Sequence, residues 1–315
     1  MKNVVIALDI GGTSIKGAVV EENGTISYKE SFNINSNHSK EEHTTELIKV
    51  VEKLLSNVSA DCKAVGLGIC APGVMNNDTL HIGGAENIPG LHSIKFSDIG
   101  DKFNLPTKAA NDASIAALGE TKYGSGRDKN YHSVLFITLG TGVGGGLVLD
   151  GKLFTGALGG AGEFGHVVVV PDGDKCNCGS SGCIEKYASA TGFINNAKQK
   201  IHKNLLKTSL TYEILERDKA KAIFDAAKEG DILANETISE CSYYLGISIA
   251  QAVNMLDLDL VLIGGGLSDN FEYMKEHIER GVRNYALRMM VNNLTIKKAS
   301  LGNDAGVLGC AALFF

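Results

Sequence analysis

Val4-Val-Ile-Ala-Leu8-Asp9-Ile-Gly11-Gly12-Thr13-Ser14-Ile15-Lys16-Gly-Ala-Val-Val20-Glu-Glu-Asn23-Gly24 is the stretch from which the fold is read. Val4 to Leu8 is a near-continuous apolar run, the pattern of a strand buried on both faces. A second run resumes at Ile15, too soon after the glycines for a helix to begin, and Asn23-Gly24 is a strong hairpin signal. The glycine turn therefore joins two strands. A Walker loop or a Rossmann fingerprint needs a helix after its glycines, so neither applies. The same unit returns as Ser133 to Leu139, then Gly140-Thr141-Gly142-Val143-Gly144-Gly145-Gly146, then Leu147 to Leu149 and a turn at Asp150-Gly151. Repetition of a whole supersecondary unit predicts two α/β domains of related fold facing one another across a cleft.

Between the two units, Ser39 and Glu42 form a capping box that opens a helix with an apolar face of Leu47, Ile48, Val51, Leu54, Leu55 and Val58. Val65 to Ile69 reads as another buried strand, leading to Pro72-Gly73. A loop-rich stretch follows, containing Gly83-Gly84-Ala85-Glu86-Asn87-Ile88-Pro89-Gly90. Asn111-Asp112 sits where a strand end runs into a helix, with Asp112 near its N-cap; taken alone, that cap explains the residue. Helical spacing covers 185–203, 218–228, 231–257 and 271–289. A strand at Leu260 to Ile263 ends in Gly264-Gly265-Gly266, and Asn303 to Gly306 begins a C-terminal helix. The expected division is a small N-terminal domain of residues 1–112 plus 301–315 and a larger C-terminal domain of 113–300.

The composition is that of a globular protein: 315 residues, 44% hydrophobic and 21% charged. Thirty basic against 36 acidic residues, with no basic block, give nothing that suits nucleic acid. The first apolar run stops at Asp9, too short for a signal peptide or a membrane span, so a cytoplasmic location is expected. Thirty-eight glycines against four prolines signal close backbone approaches rather than disorder.

His166, Cys176, Cys178 and Cys183 supply one imidazole and three thiols within a short window, the set that a closed tetrahedral zinc site requires. Cys62, Cys70, Cys241 and Cys310 are scattered. A Cys-x-Cys pair is too strained to bridge itself, so a disulfide is disfavoured. Four protein ligands leave no place for a reactive water, so the zinc is expected to be structural and to fix the flanking carboxylates Glu163 and Glu185. Its loss is expected to disturb what those carboxylates bind more than what the glycine loops bind, because the glycine loops lie elsewhere in the chain.

Three glycine-rich turns at strand ends let backbone amides converge on phosphate oxygens; Thr13 and Thr141 add hydroxyls and Lys16 adds a charge. A nucleoside triphosphate held between two domains is the ligand they imply.

Asp9-x-Gly11-Gly12-Thr13-x-x-Lys16 and Thr138-Leu-Gly140-Thr141-Gly142-Val-Gly-Gly-Gly146 resemble the two phosphate motifs of the actin and sugar-kinase superfamily, whose duplicated fold is ribonuclease H-like. Glu163-x-Gly-His166 with Cys176-x-Cys178-Gly-x-x-Gly-Cys183-x-Glu185 resembles the narrower ROK family (repressors, open reading frames, kinases). The likeness runs from Asp9 to Gly309. It implies an ATP-dependent hexose kinase in which Asp112 is the general base. Gly73, Asn111, Glu163, His166 and Glu185 would hold the sugar, and Gly264, Gly265 and Gly266 would lie against the adenosine. Mg²⁺ would bridge the ATP phosphates near Asp9. Glucose is the first expectation for the sugar, and N-acetylmannosamine or N-acetylglucosamine the alternative. Leu91 and Phe164 depart from residues common in family glucokinases and are expected to reshape the pocket wall. ROK repressors carry a helix-turn-helix ahead of the first motif; only eight residues precede Asp9 here, which favours the kinase. Family members are often homodimers or homotetramers.

Overall fold

A computed structural model describes the chain apart from residues 77, 78, 84–87 and 205, and divides it into two compact units. The first comprises Met1–Tyr131, Gly146–Gly162 and Ser300–Phe315, the second His132–Gly145 and Glu163–Ala299.

In the first unit the opening stretch folds as read: β1 (Lys2–Ile10) and β2 (Ser14–Glu21) are antiparallel partners joined by the glycine turn, and β3 (Ile26–Asn33) follows through Asn23-Gly24. β4 (Cys62–Ala71) leads to a short hairpin of β5 (Val74–Met75) and β6 (Ile82–Gly83), and β7 (Thr107–Asn111) completes the sheet. The order is β3-β2-β1-β4-β7, with β1, β4 and β7 parallel. Strand β1 explains its own apolar run, because alternate residues serve opposite faces. Val4, Ile6 and Leu8 join a core with Leu47, Val51 and Leu54 of the helix Lys40–Leu55, while Val5 and Ala7 join Ile115, Val307 and Leu308. The capping box is complete: Ser39 Oγ accepts from Glu42 N at 3.3 Å and Glu42 Oε2 accepts from Ser39 N at 2.8 Å.

The helix Asp112–Lys122 also belongs to this unit, whereas the sequence placed the break after Asp112. Its Ile115 packs with the C-terminal helix Ala305–Ala312, so the boundary follows that shared core rather than the strand end. Buried Glu120 ties the returning chain down by accepting from Ser125 N, Ser300 N and Leu301 N at 3.1, 3.1 and 2.6 Å.

The second sheet contains β8 (Ser133–Leu139), β9 (Val143–Leu149), β10 (Lys152–Phe154), β11 (Leu260–Gly264) and β12 (Thr295–Lys298) in the order β10-β9-β8-β11-β12. Each sheet thus has a glycine-turn strand pair extended on one side by a further antiparallel strand and on the other by two parallel strands. That is the duplication the repeat predicted. The division between units falls within β9, after Gly145. The long helices of the second unit are Ala190–Lys203, Tyr212–Lys228, Ile232–Leu256 and Phe271–Tyr285. The single helix expected over 185–203 is two, Glu185–Ala188 and Ala190–Lys203, because Ser189 leaves helical geometry to cap the second by accepting from Gly192 N. Among the described residues no helix is long and apolar enough to cross a membrane.

Candidate active-site residues and the metal-binding loop

Register places the candidate residues of the first unit at the carboxyl ends of its parallel strands. Asp9 of β1 pairs with Cys70 of β4, and Ala71 with Asn111 of β7, so three strand ends deliver side chains to one rim. In open α/β sheets that rim is where ligands bind. Lys16 Nζ donates to Asp9 Oδ2 at 3.2 Å, and Cys70 Sγ lies 3.4 Å from Asp9 Oδ1. The turn of Gly11, Gly12 and Thr13 is closed by Gly11 N donating to Ser14 O at 2.9 Å. The C-terminal helix begins against Asp9: a side chain at Gly306 would put its Cβ 2.7 Å from Asp9 Oδ2, so only glycine allows this approach.

Asn111, not Asp112, caps the helix. Its Oδ1 accepts from Ala113 N at 2.9 Å and Ser114 N at 3.3 Å, and its amide donates to Gly73 O at 3.0 Å. Asp112 is the first helical residue and lies at the surface, with one carboxylate oxygen accepting from Ala113 N at 2.8 Å. Protein atoms crowding its other sides push the carboxyl above the usual carboxylate range; the Ala113 N–H opposes this and the negative charge of Asp9 adds to it. The reading of Asp112 as a simple cap therefore fails.

In the second unit, β8 and β11 are parallel with Thr138 opposite Gly264, which brings the turn of Gly140, Thr141 and Gly142 and the run of Gly264, Gly265 and Gly266 to one edge. Gly265 has φ +78°, and a Cβ there would meet Leu139 O at 2.5 Å. The Gly140 turn is bolted to the next helix: Ala190 N donates to Gly140 O at 2.8 Å and Thr191 Oγ1 to Thr141 O at 3.0 Å. Glu185 Oε2 accepts from Val143 N at 3.1 Å. A concavity of about 220 Å³ is lined by Thr141, Gly142, Glu185 and Thr191 among others.

The four expected metal ligands converge. His166 Nδ1 lies 3.7 Å from Cys176 Sγ, Cys178 Sγ lies 3.6 Å from Cys183 Sγ, and all four ligand atoms fall within 4.8 Å of one another. Sulfurs about 2.3 Å from a tetrahedral ion stand roughly 3.8 Å apart, so the cluster has the dimensions zinc requires. Burial, then hydrogen bonds that the Cys183 thiol donates to the neighbouring cysteines, push its pKa up to about 12, whereas the Ser180 N–H draws exposed Cys178 below its usual value. Three thiolates this close need a cation to ionise together. His166 turns Nε2 away from the thiols, 3.9 Å from Glu163 Oε2.

Leu91 and Phe164 are both buried, Leu91 in the same core as Leu47. Gly84, Ala85 and Asn87 lie outside the described residues. Sequence reasoning missed Cys70 beside Asp9 and the bond from Glu185 to β9; the first had no signal, and the second required knowing where Glu185 points.

Residues 5–315 match the ROK family. The chain belongs to the ROK family. A glucokinase of Halalkalibacterium halodurans is 37% identical over 309 residues, covering 96% of this chain and 92% of that protein. A xylose repressor of Caldicellulosiruptor bescii is 29% identical, covering 98% of this chain and 77% of that protein. The crystal structure of a ROK family glucokinase from Streptomyces griseus, in complex with glucose and AMPPNP, is 29% identical with a TM-score of 0.73 and covers 98% of each chain. Within this ROK protein, the duplicated sheets and the cysteine loop account for both parts of the resemblance read from the sequence.

Proposed function

We propose that this ATP-dependent sugar kinase phosphorylates glucose to glucose 6-phosphate, with Asp112 as the general base. The observation that carries the reading is the freed carboxylate of Asp112, relieved of capping by Asn111 and set on the same rim as Asp9. Phosphoryl transfer asks mainly for alignment and charge neutralisation. Asp112 would accept the proton of the attacking hydroxyl while Asn111 and Gly73 fix the sugar beside it. Glu163, the free Nε2 of His166 and Glu185 would take further hydroxyls. The amides of Gly11, Gly12, Gly140 and Gly142, with Thr13, Thr138, Thr141 and Lys16, would hold the phosphates, and Gly264, Gly265 and Gly266 the adenosine. Asp9 would face Mg²⁺, which neutralises phosphate charge when bound. His166, Cys176, Cys178 and Cys183 would hold structural zinc, which fixes Glu163 and Glu185 in place.

The relatives named above as glucokinases support glucose as the sugar. Carboxylate acceptors such as Glu163 and Glu185 favour hydroxyl donors on the sugar. A coupled assay over glucose, mannose, fructose, allose, glucosamine, N-acetylglucosamine and N-acetylmannosamine tests this, with kcat/KM expected to be highest for glucose. A ratio favouring an acetylated sugar replaces the substrate and leaves the kinase; no ATP consumption with any sugar overturns the kinase and turns attention to the sensing role of the repressor relatives.

A further inference from the structure

His43 is wholly buried in the first turn of the helix Lys40–Leu55, on a face that otherwise carries Leu47, Val50, Val51 and Leu54. Neither ring nitrogen has a hydrogen-bond partner among the described residues, and the same holds for His38 Nδ1 and Glu46 Oε2. These orphaned atoms lie together. His38 Nδ1 is 3.0 Å from Glu46 Oε1 and His43 Nδ1 is 3.5 Å from Glu46 Oε2, in neither case aligned for a hydrogen bond. One ligand atom from each of the three residues falls within 4.8 Å of the others.

We propose that His38, His43 and Glu46 form a second metal site, separate from the cysteine loop, which takes a divalent transition ion such as zinc on two imidazole nitrogens and a carboxylate. Nitrogen and oxygen ligands about 2.0–2.1 Å from a tetrahedral ion stand roughly 3.4 Å apart; His38 Nδ1 lies 3.0 Å from Glu46 Oε1 and His43 Nδ1 3.5 Å from Glu46 Oε2, so each imidazole is near that spacing from one carboxylate oxygen. Two imidazoles with one carboxylate are a borderline-soft set that suits zinc over magnesium or calcium. His38 and Glu46 keep partial exposure, which gives the ion a way in and leaves water a fourth position. The spacing is local by design: His43 and Glu46 share a helix face one turn apart, and His38 precedes the Ser39 cap. A bound ion would clip the approach segment to the helix and hold the His43 ring against Gly90, whose Cβ would come 2.6 Å from that ring.

The test counts metal in the full chain. Wild type, Glu46→Gln and His38→Ala are loaded with excess zinc, stripped of loosely held ion on a chelating resin, and assayed for zinc per chain by mass spectrometry. Both substitutions fall on partly exposed side chains, and circular dichroism checks that the fold persists. Wild type is expected to retain one equivalent more than either variant, whatever the total. Cobalt loading gives a second readout: the additional equivalent should show visible ligand-field bands without thiolate charge-transfer absorption, and both variants should lose them. Equal zinc content in all three proteins, or cobalt bands unchanged in the variants, overturns the site and leaves a packed histidine pair.

Discussion

Asn111 takes the capping task that the sequence put near Asp112, which leaves the Asp112 carboxylate available for the proposed role of general base. Asx side chains at a strand-to-helix junction signal a cap, but which of two neighbours turns back onto the amides depends on backbone angles that spacing does not show. Asn111 takes the extended conformation and the cap, so Asp112→Asn should leave the helix intact. Its kcat is expected to fall roughly 10²–10⁴-fold; turnover near wild type removes Asp112 from the chemistry. The raised carboxyl also predicts the pH profile, with the acid limb of kcat/KM for wild type lying above the usual carboxylate range. The stability sign follows. A carboxyl whose folded pKa exceeds its unfolded value stabilises the fold only while protonated, and that contribution is lost as pH rises through the folded value. Asp112→Asn should therefore melt no lower than wild type at neutral pH, with any gain fading in acid. A lower melting temperature at neutral pH would show that the carboxylate is structural.

The cysteine loop was legible as a ligand set because ligand type and spacing are written in the chain, but its connection to the rest of the unit was not. Glu185 opens the short helix after Cys183, and its carboxylate accepts from Val143 N at the end of the glycine turn. Metal loss at the loop should then loosen the glycine turn as well as Glu163 and Glu185, contrary to the separation expected from sequence distance. Cys178→Ser is predicted to lower zinc content and to raise KM for both glucose and ATP by several fold, each measured at saturating co-substrate. A rise confined to glucose would show that the Glu185 bond transmits nothing. The elements that sequence did not supply share a cause. Ile26–Asn33 alternates partly buried and exposed residues, with Ser27, Lys29, Ser31 and Asn33 outward, and Thr295–Lys298 is three half-buried residues and one exposed, ending in two lysines. Both are outer strands of their sheets, where burial is shallow and the apolar signal in the sequence is correspondingly weak.

At the scale of the whole molecule, a repeat of one strand pair sufficed to predict two similar sheets, because each glycine turn needs a strand on both sides and a parallel continuation to bury it. What the repeat could not show is how the chain's last residues are recruited to the first sheet. The anchor is Glu120, fully buried at 0% exposure, whose two oxygens accept from Ser125, Ser300 and Leu301 N–H groups. Lys108 Nζ adds a bond to Leu313 O at 2.6 Å. Beyond the anchor, the helix Ala305–Ala312 covers one face of the sheet and sets Gly306 against Asp9. Glu120→Ala removes the shared acceptor of three part-buried backbone N–H groups and leaves them to water, so a loss of roughly 1–3 kcal/mol is expected. Thermal and urea unfolding measure it. Because the loosened segment carries the glycine that rests on Asp9, KM for ATP should rise in the same variant at temperatures where it remains folded. Lost stability with an unchanged KM for ATP would mean that the segment closes the core without positioning Asp9, and that the first strand alone holds its carboxylate.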